Sequence, residues 1–364
     1  MLKDKALEGL LLLAVCSLPF MTQTSQAADA APAIQKDSLL VNAHTVNAYK
    51  KDYDKWSWVP RLTFRVNGPI PSGGQLYADF SVPGGGSIKF DCPTQETAAG
   101  RTSQVQCGDP PDEQATLYTG KVSFKIGLRN ELLGTDITIF NGKATISKVH
   151  TNEVGPKAKL KFVYYVEEDW NLPIGYVYLK PGEVTGWKAP TFMAAFWVRG
   201  DAYNFQPHLF YQGKEVGKMF YQGTEVGKAS CESDIETEVT QQVEETVPQK
   251  AKWSRVKCDF PSVQAWDTTG QKPGMFGEIY QMAKNPGDYE LKVLWQNHLA
   301  RSLKFKVGPD GKYVSTIASA NKLGSDRSIF PVQIIGDQDG KWNKTAYKTD
   351  AYYGNPLTGF TAAP

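Results

Sequence analysis

Residues 286–312 read PGDYELKVLWQNHLARSLKFKVGPDGK. Tyr289, Leu291 and Val293 alternate with Asp288, Glu290 and Lys292; beyond a polar Gln296-Asn297-His298 break, Leu303, Phe305 and Val307 alternate with Lys304 and Lys306. A period of two, carried by aromatic and β-branched residues, marks strands with one wet and one buried face. The stretch therefore reads as a β-hairpin followed by a tight turn at Pro309-Asp310-Gly311. The same grammar stands 167 positions earlier, in residues 120–143, GKVSFKIGLRNELLGTDITIFNGK. There Val122, Phe124 and Ile126 precede Arg129-Asn130-Glu131, and Ile137 and Ile139 precede Asn141-Gly142-Lys143.

Working outward from the two hairpins, further landmarks recur in the same order. Trp58-Val59-Pro60 leads into Leu62, Phe64 and Val66 and stops at Asn67-Gly68; Trp187 and Pro190 lead into Phe192, Ala194, Phe196 and Val198 and stop at Arg199-Gly200. A hairpin over Gly84-Gly85-Gly86, ending at Cys92, matches the stretch from Pro207 to Cys231. Leu160 to Val166 is followed by Asp169-Trp170-Asn171 and Thr185-Gly186-Trp187. Phe330 to Ile335 is followed by Asp339, Trp342-Asn343 and Thr358-Gly359-Phe360. Helical periods of useful length are absent. These patterns predict an all-β chain of two tandem antiparallel β-sandwich domains, 51–187 and 188–364, derived from one duplicated module. Residues 28–50 are expected to form a loose arm or an edge strand around Leu39-Leu40-Val41.

The length of 364 residues suits about two domains. Forty basic against 38 acidic residues give a net charge of +2 and no dense basic stripe, which argues against nucleic acid. At the N-terminus, Lys3 and Lys5 precede an apolar run from Leu10 to Met21 and then Ser25-Gln26-Ala27. That is the layout of an export signal over 1–27, too short to span a bilayer stably, and it predicts a periplasmic or extracellular protein with no stable membrane insertion. Cys16, after Leu-Ala-Val, resembles an acylation site, but Val15 stands where a small residue is wanted. Past the signal, four cysteines remain, Cys92, Cys107, Cys231 and Cys258. An even number in an exported chain points to disulfides, and pairing 92 with 107 and 231 with 258 places one bridge at the same relative position in each copy. No CxxC or HxxxH spacing favours zinc.

The Gly-Asp-Tyr-x-Leu-x-Val and Leu-x-Phe-x-Val pattern at 287–307 resembles the last two strands of immunoglobulin-like and fibronectin-III-like domains of bacterial exported proteins. The resemblance covers about a fifth of each unit. It implies a sandwich architecture and, by itself, no function. The family's bridge between sheets against a Trp is not expected here, because the cysteines fall in polar stretches.

Two local features stand apart. Residues 210–218 and 220–228 read FYQGKEVGK and FYQGTEVGK, a tandem ten-residue unit expected to lengthen a hairpin or bulge out of it. The acidic loop 232–247, within an excursion ending in Lys250, Lys252 and Lys257, reads as a solvated, disulfide-anchored loop.

For chemistry, His44, His150, His208 and His298 share no ligand spacing. No G-x-S-x-G elbow occurs, and residues 223–229 miss both the glycine spacing and the hydroxyl of a phosphate loop. Glu167-Glu168-Asp169 and Asp337 with Asp339 occupy matching places, where a glycosidase pair is one reading and hairpin turns another. A full calcium loop is missing at 337–340. No catalytic residue, metal or cofactor is expected. Trp170, Trp342, Trp187, Tyr352 and Tyr353, near strand ends, are candidate ligand-binding rings, since flat rings there stack on sugars or anchor proteins; the competing reading is that Trp170 and Trp342 pack the ends of the units. Asn343-Lys344-Thr345 fits a glycan acceptor. The expectation is a non-enzymatic binding or structural protein of the envelope, whose partner is a protein or glycan at the cell surface. A carbohydrate-binding module and a glycoside hydrolase are the alternatives.

Overall fold

The computed structural model describes residues 32–46, 56–94, 102–108, 110–150, 162–180, 190–200, 202–233, 253–265, 279–315, 317–321, 327–336 and 339–363. The export segment 1–27, Trp187 and most of the acidic loop 232–247 lie outside the described residues.

The chain is all-β. Its first part forms β1 (Ala33–Val46), β2 (Ser57–Asn67), β3 (Gly74–Val82), β4 (Gly86–Asp91), β5 (Thr102–Cys107), β6 (Gly120–Asn130), β7 (Thr135–His150) and β8 (Phe162–Val166). These build two sheets, ordered β1-β2-β5 and β4-β3-β6-β7-β8. Next come β9 (Ile174–Lys180), β10 (Thr191–Arg199), β11 (Phe205–Tyr211), β12 (Lys214–Val216), β13 (Met219–Tyr221), β14 (Thr224–Val226) and β15 (Ser230–Ser233). They are followed by β16 (Trp253–Gln264), β17 (Tyr280–Gln281), β18 (Gly287–Trp295), β19 (His298–Val307) and β20 (Ser328–Ile334). All of these except the separate β13-β14 hairpin join one sheet, ordered β12-β11-β18-β19-β20-β9-β10-β16-β15, with β17 parallel to β16.

Within that sheet, the run β12-β11-β18-β19-β20 follows the order of β4-β3-β6-β7-β8, and β9-β10-β16 follows β1-β2-β5. The central hairpins agree in detail. β6–β7 shifts register after Ile126 and β18–β19 after Val293, steps 167 positions apart. A bulge bends a hairpin and increases its twist, so both are bent at the same place. The corresponding edges also meet: β20 pairs with β9, Ser328 opposite Val177, while the Tyr164 N–H of β8 donates to Thr45 Oγ1 of β1 at 2.9 Å.

The chain's changeover differs from expectation. The expected boundary at 187/188 falls between β9 and β10, paired strands of one sheet, so sheet membership places it in the link between β8 and β9. Of the two readings of the arm, the edge strand is the one that forms: β1 lies at the edge of its sheet, antiparallel on β2, with Val41 opposite Leu62 and Val46 opposite Ser57.

Two cores follow from the alternation. Leu62, Phe64, Leu76, Phe80, Phe124 and Ile126 are among the buried residues of the first, and Phe192, Phe196, Phe260, Leu291, Leu303 and Phe305 among those of the second. β10 belongs to both: Ala194, Phe196 and Val198 enter the second core, while Ala195 and Trp197 enter the first, joined by Tyr176, Trp253 and Ile329. The outer face of one sheet is thereby the wall of the neighbouring core. The C-terminal segment returns to this wall with Tyr347, Tyr352, Tyr353 and Leu357.

Both disulfides form in the expected pairing, and the first of them is buried. Cys92 and Cys107 are at most 1% exposed, and their bridge joins the end of β4 to the end of β5, hence the two sheets of the first part. The polar surroundings in sequence misled because the sulfur pair itself is the apolar group that turns inward. Cys231 and Cys258 face each other on the adjacent strands β15 and β16. The tandem decapeptide forms two alike hairpins, β11–β12 and β13–β14, each turning on a Gln-Gly pair with positive φ (47° and 81°, 49° and 81°). Such turns match the strand twist.

β20 meets β9 closely at Gly175, where an added Cβ would run into the side chains of Leu303 and Val332. Gly175→Ala is expected to destabilise the chain by about 1–3 kcal/mol through overpacking, read as a lower denaturant midpoint with an unchanged slope.

Candidate functional site

The link between β8 and β9 gathers most of the residues that the sequence marks as chemical. After β8 the chain makes a 3-10 turn over Asp169–Asn171, which carries Trp170 inward. Trp170, 4% exposed, lies 5.1 Å from the Tyr352 ring and 5.6 Å, edge-on, from the Tyr353 ring. Tyr352 and Tyr353 are 2% and 1% exposed, so the Trp170 ring packs against both tyrosine rings within the first core, with no face open to solvent. Trp342 is partly buried against the same core. Trp170 thus packs inside the protein, in a core that β10 and the C-terminal segment share.

Holding two tyrosines inward on consecutive residues demands an unusual backbone. Tyr352 (φ 42°, ψ 54°) and Tyr353 (φ 56°, ψ 50°) are both left-handed, a conformation costing about 1–3 kcal/mol each outside glycine. Their hydroxyls supply compensation. Tyr353 donates to Glu168 Oε1 at 2.6 Å and accepts the Val41 N–H at 3.1 Å, while the Tyr352 and Tyr176 hydroxyls stand 3.4 Å apart. Asn171 donates to Glu168 Oε2 at 3.1 Å. One carboxyl therefore ties together β1, the β8–β9 link and the C-terminal segment.

Glu168 is 5% exposed, and burial pushes its pKa up to about 7 against the opposing donors Tyr353 and Asn171, with Glu167 adding to the rise. Burial likewise raises the Tyr353 hydroxyl, helped by the Glu168 charge. A carboxyl titrating near neutrality is a property that functional sites share with structural locks.

Beside this knot lies a second one, of charge. Arg199, at the end of β10, reaches Asp169 at 3.6 Å and Glu167 at 3.8 Å, donates to the Lys341 carbonyl at 2.8 Å and lies 4.7 Å from the Trp253 ring centre. Its backbone N–H donates to Asp339 Oδ1 at 2.7 Å, and Asp339 Oδ2 accepts from Arg301. The Asn343 N–H donates to Asp169 Oδ2 at 2.7 Å. Asp169 and Asp339, matched in sequence, are thus brought together in space, with guanidinium groups against both. Burial raises Asp169, with the Asn343 N–H and Arg199 opposing.

The histidines are not brought together. His208 pairs with Glu215 at 2.6 Å, and His150 lies on the Phe162 ring at 4.1 Å. Among the described residues no group of three or more His, Cys, Asp or Glu is placed to hold a metal ion, and no helix is long and apolar enough to cross a membrane. Glu168 stood in the sequence reading among the carboxylates weighed for a glycosidase; Arg199 and Arg301 escaped it as site residues. Their one signal is an arginine inside a strand whose neighbours are apolar, as in Phe196-Trp197-Val198-Arg199.

Compared with protein-family models, curated proteins and solved structures, the chain matches none.

Proposed function

We propose that this is an exported, non-enzymatic binding protein made of two related immunoglobulin-like β-sandwich units, held as one rigid body that displays its outer sheet faces to a partner in the envelope or outside the cell. The observation that carries this reading is the recurrence of one strand order on both sides of a buried junction. Duplication of a module explains the shared order and the bulges 167 positions apart. The disulfides and the apolar N-terminal run support export. The carboxylates that a hydrolase would need are engaged with Arg199, Arg301, Tyr353 and Asn171, which favours binding over turnover.

Large apolar interfaces between units abolish relative motion. Calorimetry is therefore expected to show a single transition with equal calorimetric and van't Hoff enthalpies; two resolved transitions would refute the rigid body. N-terminal sequencing of the secreted chain is expected to begin near Ala28, and retention in the cytoplasm would remove the export part.

A further inference from the structure

We propose that each unit carries one binding site for a neutral polysaccharide chain on the outer face of its bent hairpin; this deepens the binding reading above and rests on it. A groove of about 440 Å³ crosses β3, β6 and β7 and is closed at one side by Gly354 and Asn355, and another of about 570 Å³ crosses the corresponding strands β11, β18 and β19 beside Val314 and Phe330. Both lie just before the bulges at Ile126 and Val293. Two grooves on corresponding strands of two units constitute a recurring feature of the architecture.

The lining defines the ligand class. In the first groove, Asp79, Lys125 and Asn141 form one row across the three strands, and Ser81 and Ser123 start the next. In the second, Phe210, Glu290 and Lys304 form one row and Asp288 and Lys306 the next, with Gln212 at the end. The middle strands β6 and β18 are paired on both sides, so their backbones are committed, and a peptide cannot add to them as a further strand. The rows lack the Trp and Arg anchors of a protein hot spot. Both grooves mix the two signs: Asp79 lies 3.8 Å from Lys125 in the first, with Lys143 the one further charge, and two carboxylates face two lysines in the second. Neither groove therefore has the one-signed field that concentrates a polyanion. What the rows do offer is hydroxyls, amides, carboxylates and ammonium groups side by side. That mixture matches a ligand whose every hydroxyl both donates and accepts, and Phe210, with Lys292 Nζ 4.7 Å from its ring centre, adds an apolar patch beside them.

The test is affinity electrophoresis and titration calorimetry of the full chain against hydroxyethylcellulose, xylan, mannan and dextran, with heparin as the anionic control. At least one neutral polymer is expected to bind at two sites per chain. Ser123→Arg and Asp288→Arg should each leave one site, and together lower affinity at least tenfold. Lys143→Ala with Lys306→Ala, which only trims exposed side chains, should weaken binding several-fold and guards against misfolding. Binding of heparin alone, no neutral polymer bound, or a double variant that binds like the parent overturns the proposal. None of these outcomes touches export or rigidity. Release of reducing ends would instead refute the non-enzymatic reading while leaving the grooves as the binding sites.

Discussion

Glu168→Gln is expected to be more stable than the parent at pH 8, with the advantage gone at about pH 5 and reversed by about 1 kcal/mol at pH 4.5. The parent's Glu168 has a pKa of about 7 when folded and 4.5 as a free side chain. Between those values the folded state holds a proton that the unfolded chain has released. Stability therefore falls as pH rises through this window and is level above it. With about 1.4 kcal/mol per unit, the loss amounts to about 3 kcal/mol. A glutamine stays neutral throughout. It keeps an acceptor for the Tyr353 hydroxyl, while its amide nitrogen faces Asn171, whose side chain must turn over or forfeit about 1 kcal/mol. The net gain at pH 8 is then about 2 kcal/mol. Urea melts at pH 4.5, 6 and 8 read it directly, and parallel pH curves for the two proteins would show that Glu168 is no buried, cation-free acid. Tyr353→Phe removes a donor to the same carboxylate and is expected to steepen the parent's decline.

What could be read in advance divides along physical lines. β18 and β19 were legible because one face is wet, and a half-wet strand writes its burial into the sequence as a period of two. Even their turn was marked, since Gln296-Asn297 takes the paired positive φ that a tight hairpin asks for. β10 was legible as a strand but only half legible in its role. The run Thr191-Phe-Met-Ala-Ala-Phe-Trp-Val198 was read for Phe192, Ala194, Phe196 and Val198, whereas Met193, Ala195 and Trp197 are buried as well. An unbroken apolar run signals a strand covered on both faces, and that was the trace of the junction. β1 was harder, because Gln35 and Thr45 are buried polar residues that break the alternation. The C-terminal lock left no periodic trace at all. Tyr352 and Tyr353 turn inward through a left-handed backbone set by partners more than 150 residues away, and local pattern carries no information about such partners. Of the rings singled out for ligand binding, Trp170, Tyr352 and Tyr353 are buried against one another's segments, and that burial depends on the same long-range contact.

Arg301→Met is expected to cost more than any of these changes, about 3–5 kcal/mol, because it strands a charge. The Arg301 side chain has no exposure and that of Asp339 only 1%, so each depends on the other for compensation. Burial pulls the Arg301 pKa down while Asp339 holds it up. Removing the guanidinium leaves the Asp339 carboxylate with only the Arg199 backbone N–H donating to it, and an uncompensated buried charge is far costlier than the loss of one contact. The consequence is a distinctive pattern in a double-mutant cycle. Asp339→Asn alone keeps an acceptor for the Arg199 N–H but strands Arg301, so it too should be strongly destabilising. Arg301→Met combined with Asp339→Asn leaves no charge behind and should recover at least half of the loss, because a neutral pair of similar size tolerates burial. A double variant as unstable as the sum of the singles would mean that the pair is not coupled. The same variants bear on the junction: Asp339 also holds the end of β10 through Arg199, which engages Glu167 and Asp169 of the β8–β9 link. Asp339→Ala, which unlike Asp339→Asn also removes the acceptor for the Arg199 N–H, should therefore split the single calorimetric transition in two. Arg301→Met, which leaves the Arg199 contacts standing, should lower the midpoint without splitting it.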